Sequence, residues 1–582
     1  MASRSADDRP TSPTGGPMRA RAWLAILPPA QWLPGYRMAW LPADIFAGVT
    51  LAAYAIPVSL AYATLAGLPP QVGVYGYMLG GLGYALLGSS RQLAVGPTSA
   101  ISLMIAGAVA GMAGGDLQRY AQIASLAGFT VALLCLIAWA LRLSKLVKLI
   151  SDSILVGFKA GAGLTIAMTQ LPSLFGVAGG GHNFFERALM LVGQAGHIQW
   201  LALAIGITAI ALLLLGERLL PGRPVALGVV VASIVVATLL GFADLGVATT
   251  GAIPSGLPTL DPPALRLRDV EGILPLALGC LLLAYIEGVS AARTFAAKHG
   301  YALDPRQELL GIGAANLFAA AGHGYPVAGG LSQSSVNDKA GARSPLALVF
   351  ASAALALCLL FLTGSLENLP KAVLAAVVLT AVAGLVDVPA LLRMWQISKP
   401  DFLAAAVALV GVLVFGILQG ILLAALASVL MLLTRVSQPH VAFLGRIPGT
   451  RTYSDLARHP ENETIPGVLA FRPEGSLLYV NDDVVLEAVL KRVHAGAPIP
   501  IRLVVCDLSA SPYVDLAGSQ MLHQLHEKLA AQDIALRVVG ARGRVRNLLR
   551  ADAVDAKVGP IDRAHTLEAL LEGADGPPAV AP

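Results

Sequence analysis

From Leu41 to about Arg435 the chain is a nearly unbroken series of apolar blocks separated by short loops. A stretch of that length is stable only where most side chains face lipid or other apolar helices. About 20 apolar residues suffice for one spanning helix. Fourteen blocks can be drawn: 44–66, 70–88, 95–113, 120–141, 149–174, 198–216 and 224–241, then 273–296, 306–322, 328–339, 345–364, 370–390, 400–416 and 418–434. Composition agrees, with 56% hydrophobic and 13% charged residues, against about 25% charged in ordinary soluble domains.

The formal net charge of +5 does not point to nucleic acid, because Lys and Arg are dispersed among the apolar runs instead of clustered on one face. Loops on the cytoplasmic side attract such charge. With the N-terminus inside and the spans alternating, Arg142, Lys145, Lys148, Arg218, Arg223, Arg293, Lys298, Arg306, Lys339, Arg343, Arg393 and Lys399 all fall inside. The outer loops, 175–197, 242–272 and 365–369, hold few cations, with Arg187, Arg266 and Arg268 as exceptions. An even number of spans returns the C-terminus to the cytoplasm, so the chain reads as a multi-pass protein of the cell (inner) membrane with both termini inside. The leader, residues 1–40, has no short apolar core followed by a small-residue cleavage site. Cys135, Cys280, Cys358 and Cys506 lie far apart and have no metal-ligand spacing, so they read as small packing residues, and no metal or cofactor is expected.

Two of the fourteen blocks are unsuited to simple helices. Ala94-Val95-Gly96-Pro97-Thr98-Ser99-Ala100 and Pro326-Val327-Ala328-Gly329-Gly330-Leu331-Ser332 place Pro or paired Gly at mid-span. Each predicts a short extended stretch followed by a half-helix, at similar places in two similar halves, which is the pattern of an inverted-repeat transporter with its site at broken helices. Gly and Pro are also tolerated in ordinary membrane helices, and that remains the plainer alternative.

A half-helix that starts at mid-membrane presents unpaired N–H groups and the positive end of its dipole, which suits an anion. Thr98 and Ser99 at one such end, and Gly330, Leu331, Ser332 and Gln333 with Ser334 at the other, form the candidate substrate site. Their hydroxyl and amide groups can donate to oxyanion atoms, or merely cap the half-helices. Tyr62, the aromatic in a run of small residues, is a candidate pocket wall. Glu287 lies inside the apolar run ILPLALGCLLLAYIEGVSAA, where an ionised carboxylate costs several kcal/mol unless paired or hydrated. It is the candidate coupling residue, with protons as the coupling ion. Asp44 and Lys159 read as interfacial or snorkelling groups.

After Arg435 the composition turns polar. Residues 436–465 read as a Pro-, Gly- and Thr-rich linker, and 466–572 as a soluble α/β domain. Strands are expected at 468–471, 477–480, 501–507 and 534–539, with helices at 482–494, 519–532 and 542–549. Residues 573–582, GADGPPAVAP, read as a disordered tail.

Four ordered motifs carry a family resemblance: PVSLAYATLAGLPPQVGVYG at 57–76, LLGSSRQLAVGPTSAISLM at 86–104, EGVSAARTFAAKHGYALDPRQELLGIGAANL at 287–317 and YPVAGGLSQSSVNDKAGARS at 325–344. With them, residues 41–570 resemble the SulP family of sulfate permeases and their animal relatives that move sulfate, chloride and bicarbonate. VVCDLSASPYVDLAGSQML at 504–522 resembles the strand, loop and helix of a STAS domain. The resemblance implies a membrane all-α fold of 14 spans, arranged as a 7+7 inverted repeat of core and gate subdomains, plus a C-terminal α/β STAS domain. It also implies a homodimer and an elevator-type motion. Three departures stand out: Val58 where many relatives have Gln, Gln333 where some animal members have Arg, and Glu287 with Ala291 where sodium-coupled bicarbonate members have Asp and Thr. In related antagonist proteins a phosphorylated Ser follows the loop Asp, whereas here Leu516 follows Asp515.

The function expected is secondary transport of a small anion of the sulfate, bicarbonate or dicarboxylate class, coupled to protons, within the bilayer. The alternatives are nucleobase uptake on the same type of fold, and an anion-sensing scaffold that signals to a cytoplasmic partner through the STAS domain. No nucleophile–base pair, phosphate loop or metal cluster points to an enzyme.

Overall fold

Helix, helix, short strand, short helix, helix is an order the chain runs through twice. The computed structural model describes residues 33, 36–143, 151–181, 183–220, 224–242, 244–261, 267–495, 499–563 and 565–572. Most of the leader, the tail, Lys145, Lys148, Arg223 and Arg266 lie outside them. The first run is α1 (Leu41–Leu65), α2 (Pro70–Leu87), β1 (Val95–Gly96), α3 (Ser99–Ala113) and α4 (Leu117–Ala140). It continues through α5 (Asp152–Phe175), a short α6 (Phe184–Gly193), α7 (Trp200–Leu219) and α8 (Val225–Leu240). The second run repeats the series as α9 (Leu267–His299), α10 (Pro305–Ala321), β2 (Ala328–Gly329), α11 (Leu331–Lys339) and α12 (Leu346–Phe361). It ends with α13 (Lys371–Ala383), a short α14 (Val388–Ile397), α15 (Lys399–Phe415) and α16 (Ile417–Ser437). Among the described residues, seven helices are long and apolar enough to cross a membrane.

Local chemistry marks the ends of these helices. The Asp116 side chain accepts from Gln118 N–H and Arg119 N–H at the start of α4, and Asp304 accepts from Arg306 N–H at the start of α10. Gly114 and Gly176 adopt positive φ of 60° and 67° just past α3 and α5, where a side chain would be strained.

β1 and β2 pair antiparallel, Val95 opposite Gly329 and Gly96 opposite Ala328. Neither stretch can be helical through its centre: Pro97 disfavours the α region for Gly96, and Gly329-Gly330 favours an irregular backbone. The backbone groups that leave the helical ladder are recovered by cross-ties. Ala94 N–H donates to Ser334 Oγ (2.9 Å), Asn337 Nδ2 donates to Gln92 O (3.1 Å), and Val327 N–H donates to Asn316 Oδ1 (3.0 Å) while Asn316 Nδ2 returns a bond to Val327 O (3.0 Å).

Close helix packing holds this crossing in place. A Cβ on Gly83 of α2 would stand 2.4 Å from Ala314 O of α10, and one on Gly157 of α5 would stand 1.9 Å from Ala405 O of α15, so these helix pairs approach as only small residues allow. Asp44, expected at an interface, is instead fully buried: it accepts from Arg343 N–H (2.7 Å), Ser344 N–H (3.1 Å) and Ser344 Oγ (2.7 Å), fixing α1 to the turn before α12. Glu308 is buried likewise, accepting from Tyr84 Oη (2.9 Å), Ser89 N–H (3.0 Å) and Ser89 Oγ (2.6 Å).

The described residues divide into two compact units on either side of Ser428. The second contains a five-stranded sheet in the order β4-β3-β5-β6-β7, made of β3 (Val441–Arg446), β4 (Tyr453–Asp455), β5 (Val468–Pro473), β6 (Leu503–Asp507) and β7 (Ala535–Val539). β3 is antiparallel to β4 and β5, while β5, β6 and β7 run parallel. Its helices are α17 (Asp482–His494), α18 (Leu516–Ala530), α19 (Gly543–Ala551), α20 (Val554–Val558) and α21 (Leu567–Glu572).

Two expectations for this unit need correction. The stretch read as a linker carries β3 and β4: Val441 and Phe443 pack on one side of the sheet, Ala442 and Leu444 on the other, a two-sided burial that its Pro and Gly content masks. Residues 477–480 are not a strand. Asn481 Oδ1 accepts from Leu478 N–H (2.9 Å) and Asn481 N–H donates to Leu478 O (2.9 Å), so the chain turns after a single bridge from Leu477 to Val514.

A Cβ on Gly96 would stand 2.2 Å from the ring of Tyr77, itself 2% exposed. Gly96→Ala is therefore expected to destabilise the first unit by about 1–3 kcal/mol, read as a lower thermal unfolding midpoint in detergent.

Candidate functional site

Because β1 and β2 cross, the helices that follow them begin near one another. Thr98 is the N-cap residue of α3 and Gly330 that of α11, and neither helix receives a side-chain cap. The first N–H groups of both half-helices are thus left for another acceptor. They open on a cavity of about 350 Å³.

Eight of the nine sequence-predicted residues line that cavity: Tyr62 from α1, Thr98 and Ser99 from the start of α3, Glu287 from α9, and Gly330, Leu331, Ser332 and Gln333 from the start of α11. Their states differ. Thr98 Oγ1 is buried and has no hydrogen-bond partner among the described residues, an arrangement native proteins rarely leave unanswered by water or ligand. Ser332 is exposed to the cavity and Leu331 is 57% exposed, although both sit deep in the unit's sequence of helices. Gln333 is buried and its Nε2 donates to Ala328 O (3.2 Å), so the amide braces β2 as well as facing the cavity. Ser334 does not reach it. Its Oγ donates to Gly330 O (2.7 Å) and accepts from Ala94 N–H, which makes it a tie between the two broken segments.

Four polar side chains at the cavity were not read as site residues from the sequence: Tyr54, about two turns before Tyr62 on α1, Lys159 on α5, expected as an interfacial or snorkelling group, Ser290 on α9, and Asp387 at the cap of α14. Asp387 Oδ1 accepts from Ala390 N–H (2.9 Å). Glu287 and Lys159 make no hydrogen bond or ion pair among the described residues, yet Lys159 is near enough for its charge to act on Glu287. The run GFKAGAGL around Lys159 was the available signal: a cation amid small residues, several turns inside a span, has little room to snorkel.

The cavity's walls come from both kinds of helix in the repeat. Tyr62, Thr98, Glu287 and Ser332 belong to α1, α3, α9 and α11, which surround the β1–β2 crossing, whereas Val156, Lys159, Ala381 and Leu385 lie on or directly after α5 and α13. With Lys159, Glu287 and Asp387 all ionised, the walls carry two carboxylates and one ammonium. A proton on Glu287 balances them.

Residues 41–408 match the model of the sulfate permease family, and 459–566 match that of the STAS domain. The chain belongs to the sulfate permease family. This permease is 33% identical over 536 residues to a probable sulfate transporter of Mycobacterium tuberculosis, covering 91% of this chain and 96% of that protein. It is 29% identical to the chloroplastic sulfate transporter 4.1 of Arabidopsis thaliana, over 90% of this chain and 78% of that one. These relatives are named as transporters, not enzymes. Its fold is that of the murine Solute Carrier 26 family member A9 anion transporter, solved in the inward-facing state, with a TM-score of 0.86 at 20% identity over 98% of this chain and 99% of the other. The transmembrane domain of the cyanobacterium bicarbonate transporter BicA matches with a TM-score of 0.59 at 21% identity, over 68% of this chain and 98% of that domain.

In the permease's STAS domain, Asp515 caps α18: its Oδ1 accepts from Gly518 N–H (2.9 Å) and its Oδ2 from Tyr479 N–H (2.9 Å). Leu516 follows, 55% exposed, and the next serine on the helix, Ser519, is buried and donates to Asp552 Oδ2 (2.6 Å).

The different situations of two hydroxyls predict opposite mutant behaviour. Ser334→Ala, which orphans Ala94 N–H, is expected to destabilise the anion-free protein by on the order of 1–3 kcal/mol. Thr98→Val, which removes an unpartnered hydroxyl, leaves its unfolding midpoint unchanged or raised. Thermal unfolding of both variants without anion checks the contrast.

Proposed function

We propose that this permease is a secondary active transporter of a small oxyanion of the sulfate class, coupled to protons. The reading is carried by one observation: two uncapped half-helix N-termini share a single cavity with the unpartnered Thr98 hydroxyl. Fixed N–H dipoles hold an anion without a dedicated buried cation, so the site can take up and release its substrate without a stranded counter-charge. The names of the Mycobacterium and Arabidopsis relatives support sulfate as the first anion to test. Tyr62, Ser99, Gly330, Leu331, Ser332 and Gln333 complete the substrate contacts.

Coupling follows from the charge balance. An incoming anion meets two carboxylates and one ammonium when Glu287 is ionised, and a neutral set of side chains when it is protonated. Proton and anion therefore favour each other's binding, which is linkage in both directions. Alternating access is by an elevator motion in which α1–α4 and α9–α12 carry the half-helices past α5–α8 and α13–α16; with the short α6 and α14 set aside, the helices make the fourteen spans of a 7+7 inverted repeat. In this reading the permease is a homodimer in the cell membrane with both termini on the cytoplasmic side and the STAS domain open to a cytoplasmic partner.

Purified permease in liposomes is expected to accumulate labelled sulfate under an inward proton gradient, with bicarbonate and dicarboxylates competing in proportion to how well they fit two helix ends. Failure of every small anion to bind or move sinks the proposal, and tight binding of uracil or xanthine would replace it with nucleobase uptake. Glu287→Gln should abolish gradient-driven uptake while sulfate–sulfate exchange continues; an unchanged pH dependence excludes this carboxyl as the coupling group. Ser332→Ala should weaken sulfate binding by on the order of 1 kcal/mol, about fivefold, in equilibrium binding.

A further inference from the structure

A second cavity, of about 420 Å³, lies in the same helical unit. Four helices contribute to both cavities, and on each the two sets of lining residues are displaced along the axis. On α1 the site uses Tyr54, Val58 and Tyr62 and the second cavity Ala61, Thr64 and Leu65, so the sets meet at Ala61 and Tyr62; on α5 the site uses Val156 and Lys159 and the second cavity Met168, Thr169, Gln170, Pro172 and Ser173. α3 moves in the same sense, from Ser99 to Leu103 and Ala106, and α13 in the opposite sense, from Ala381 back to Leu374 and Lys371. The chambers therefore stand end to end along one bundle. Ile166 on α5 and Val377 and Val378 on α13, all buried in the apolar core, lie between the two sets.

The two chambers differ in charge. The second is lined by Arg187 and Lys371 and, among the described residues, by no carboxylate. Arg187 Nε donates to Gly181 O (3.0 Å), which moors the guanidinium to the wall. Its neighbour Glu186, whose charge also acts on Arg187, accepts from Asn183 Nδ2 (2.9 Å) and is not among the residues lining the chamber. Lys371 is exposed and its ammonium has no ion pair among the described residues. A cleft lined by one sign of charge between low-dielectric walls focuses the field and concentrates the opposite ion.

We propose that this chamber is an antechamber that collects small inorganic anions for the central site, with Arg187 and Lys371 as the collecting cations. The inference rests on the transport reading above. Under the positive-inside orientation, the C-terminal ends of α1 and α5 and the start of α13 face outward, so the antechamber serves the outer face. It also accounts for Arg187, a cation in a loop that the charge rule would leave bare. The site itself binds the anion through helix ends and hydroxyls; the antechamber acts on encounter, so its effect belongs in the apparent affinity for external anion and not in the maximal rate.

The test uses full-length protein in vesicles of zwitterionic phosphatidylcholine, so that no anionic headgroup competes, and follows labelled sulfate presented to one side at a time. In Arg187→Gln, Lys371→Gln and the double variant, the apparent KM on the antechamber side should rise at low ionic strength, by about threefold to tenfold in the double variant, with the maximal rate kept. The difference should shrink in about 0.5 M of an inert salt, where screening acts over only a few ångströms. Lys371→Arg should keep the wild-type KM, and sulfate presented from the opposite side should be handled as by wild type. An unchanged KM, a change equal from both sides, a change indifferent to salt, or one that appears only with anionic lipid overturns the antechamber. Absence of wild-type flux overturns the transport reading and this one with it; wild-type flux with charge-insensitive variants overturns the antechamber alone.

Discussion

Everything about the central site depends on two extended stretches pairing where helices should be. At mid-membrane no water is at hand for an open N–H or C=O, and each unsatisfied group costs several kcal/mol. Two chain breaks in separate places would each expose several such groups. Placed against one another, β1 and β2 satisfy part of each other's backbone, and Ser334, Asn316 and Asn337 take up more through bonds of 2.9–3.1 Å. What is left over is the set of N–H groups at the starts of α3 and α11. The proposed binding site is thus the unsatisfied remainder of a crossing that is otherwise closed, which explains why polar residues so near in sequence have different surroundings: Ser332 faces the cavity, while Ser334 is used up holding the crossing together.

The parts of this arrangement legible in the sequence are those set by local backbone chemistry. Gly96-Pro97 and Gly329-Gly330 interrupt apolar runs in a way no continuous helix accommodates, and the residues after each interruption had to start a helix. Tyr62 and Glu287 stood out as lone aromatic and acidic groups among small apolar neighbours. The site's other wall was not legible. Asp387 acquires its meaning only from its place at the cavity, a tertiary fact without a local signal, and Lys159, despite its run of small neighbours, reads as a snorkelling group until α5 is seen to line the cavity. Asp44 illustrates the reverse error: a carboxylate at the first turn of a span reads as interfacial, yet Ser344, three hundred residues away, buries it.

The soluble domain divides along the same line. Central strands such as Leu503–Asp507 are buried on both faces and show as continuous apolar runs. β3 has the same two-sided burial, but it comes directly after a membrane helix and beside Pro-Gly-Thr turns, so its six residues disappear in the composition of their surroundings. At 477–480 the apolar content was present but Asn481 captured the backbone, an instance of a side-chain bond outcompeting a strand.

The two chambers solve separate parts of one physical problem. A site strong enough to hold a small divalent anion through buried positive charges would also hold it too long, because charges of opposite sign in a low dielectric attract steeply. Dipoles at helix ends bind more gently, and the mixed set of Lys159, Glu287 and Asp387 keeps the surrounding wall near neutrality once Glu287 carries a proton. A near-neutral site, however, draws few anions from solution. Arg187 and Lys371 stand beyond the apolar core residues Ile166, Val377 and Val378, where, in the proposed scheme, they raise the local anion concentration without deepening the well in which the anion is carried. Attraction and retention are thereby assigned to different residues, and each can change without undoing the other.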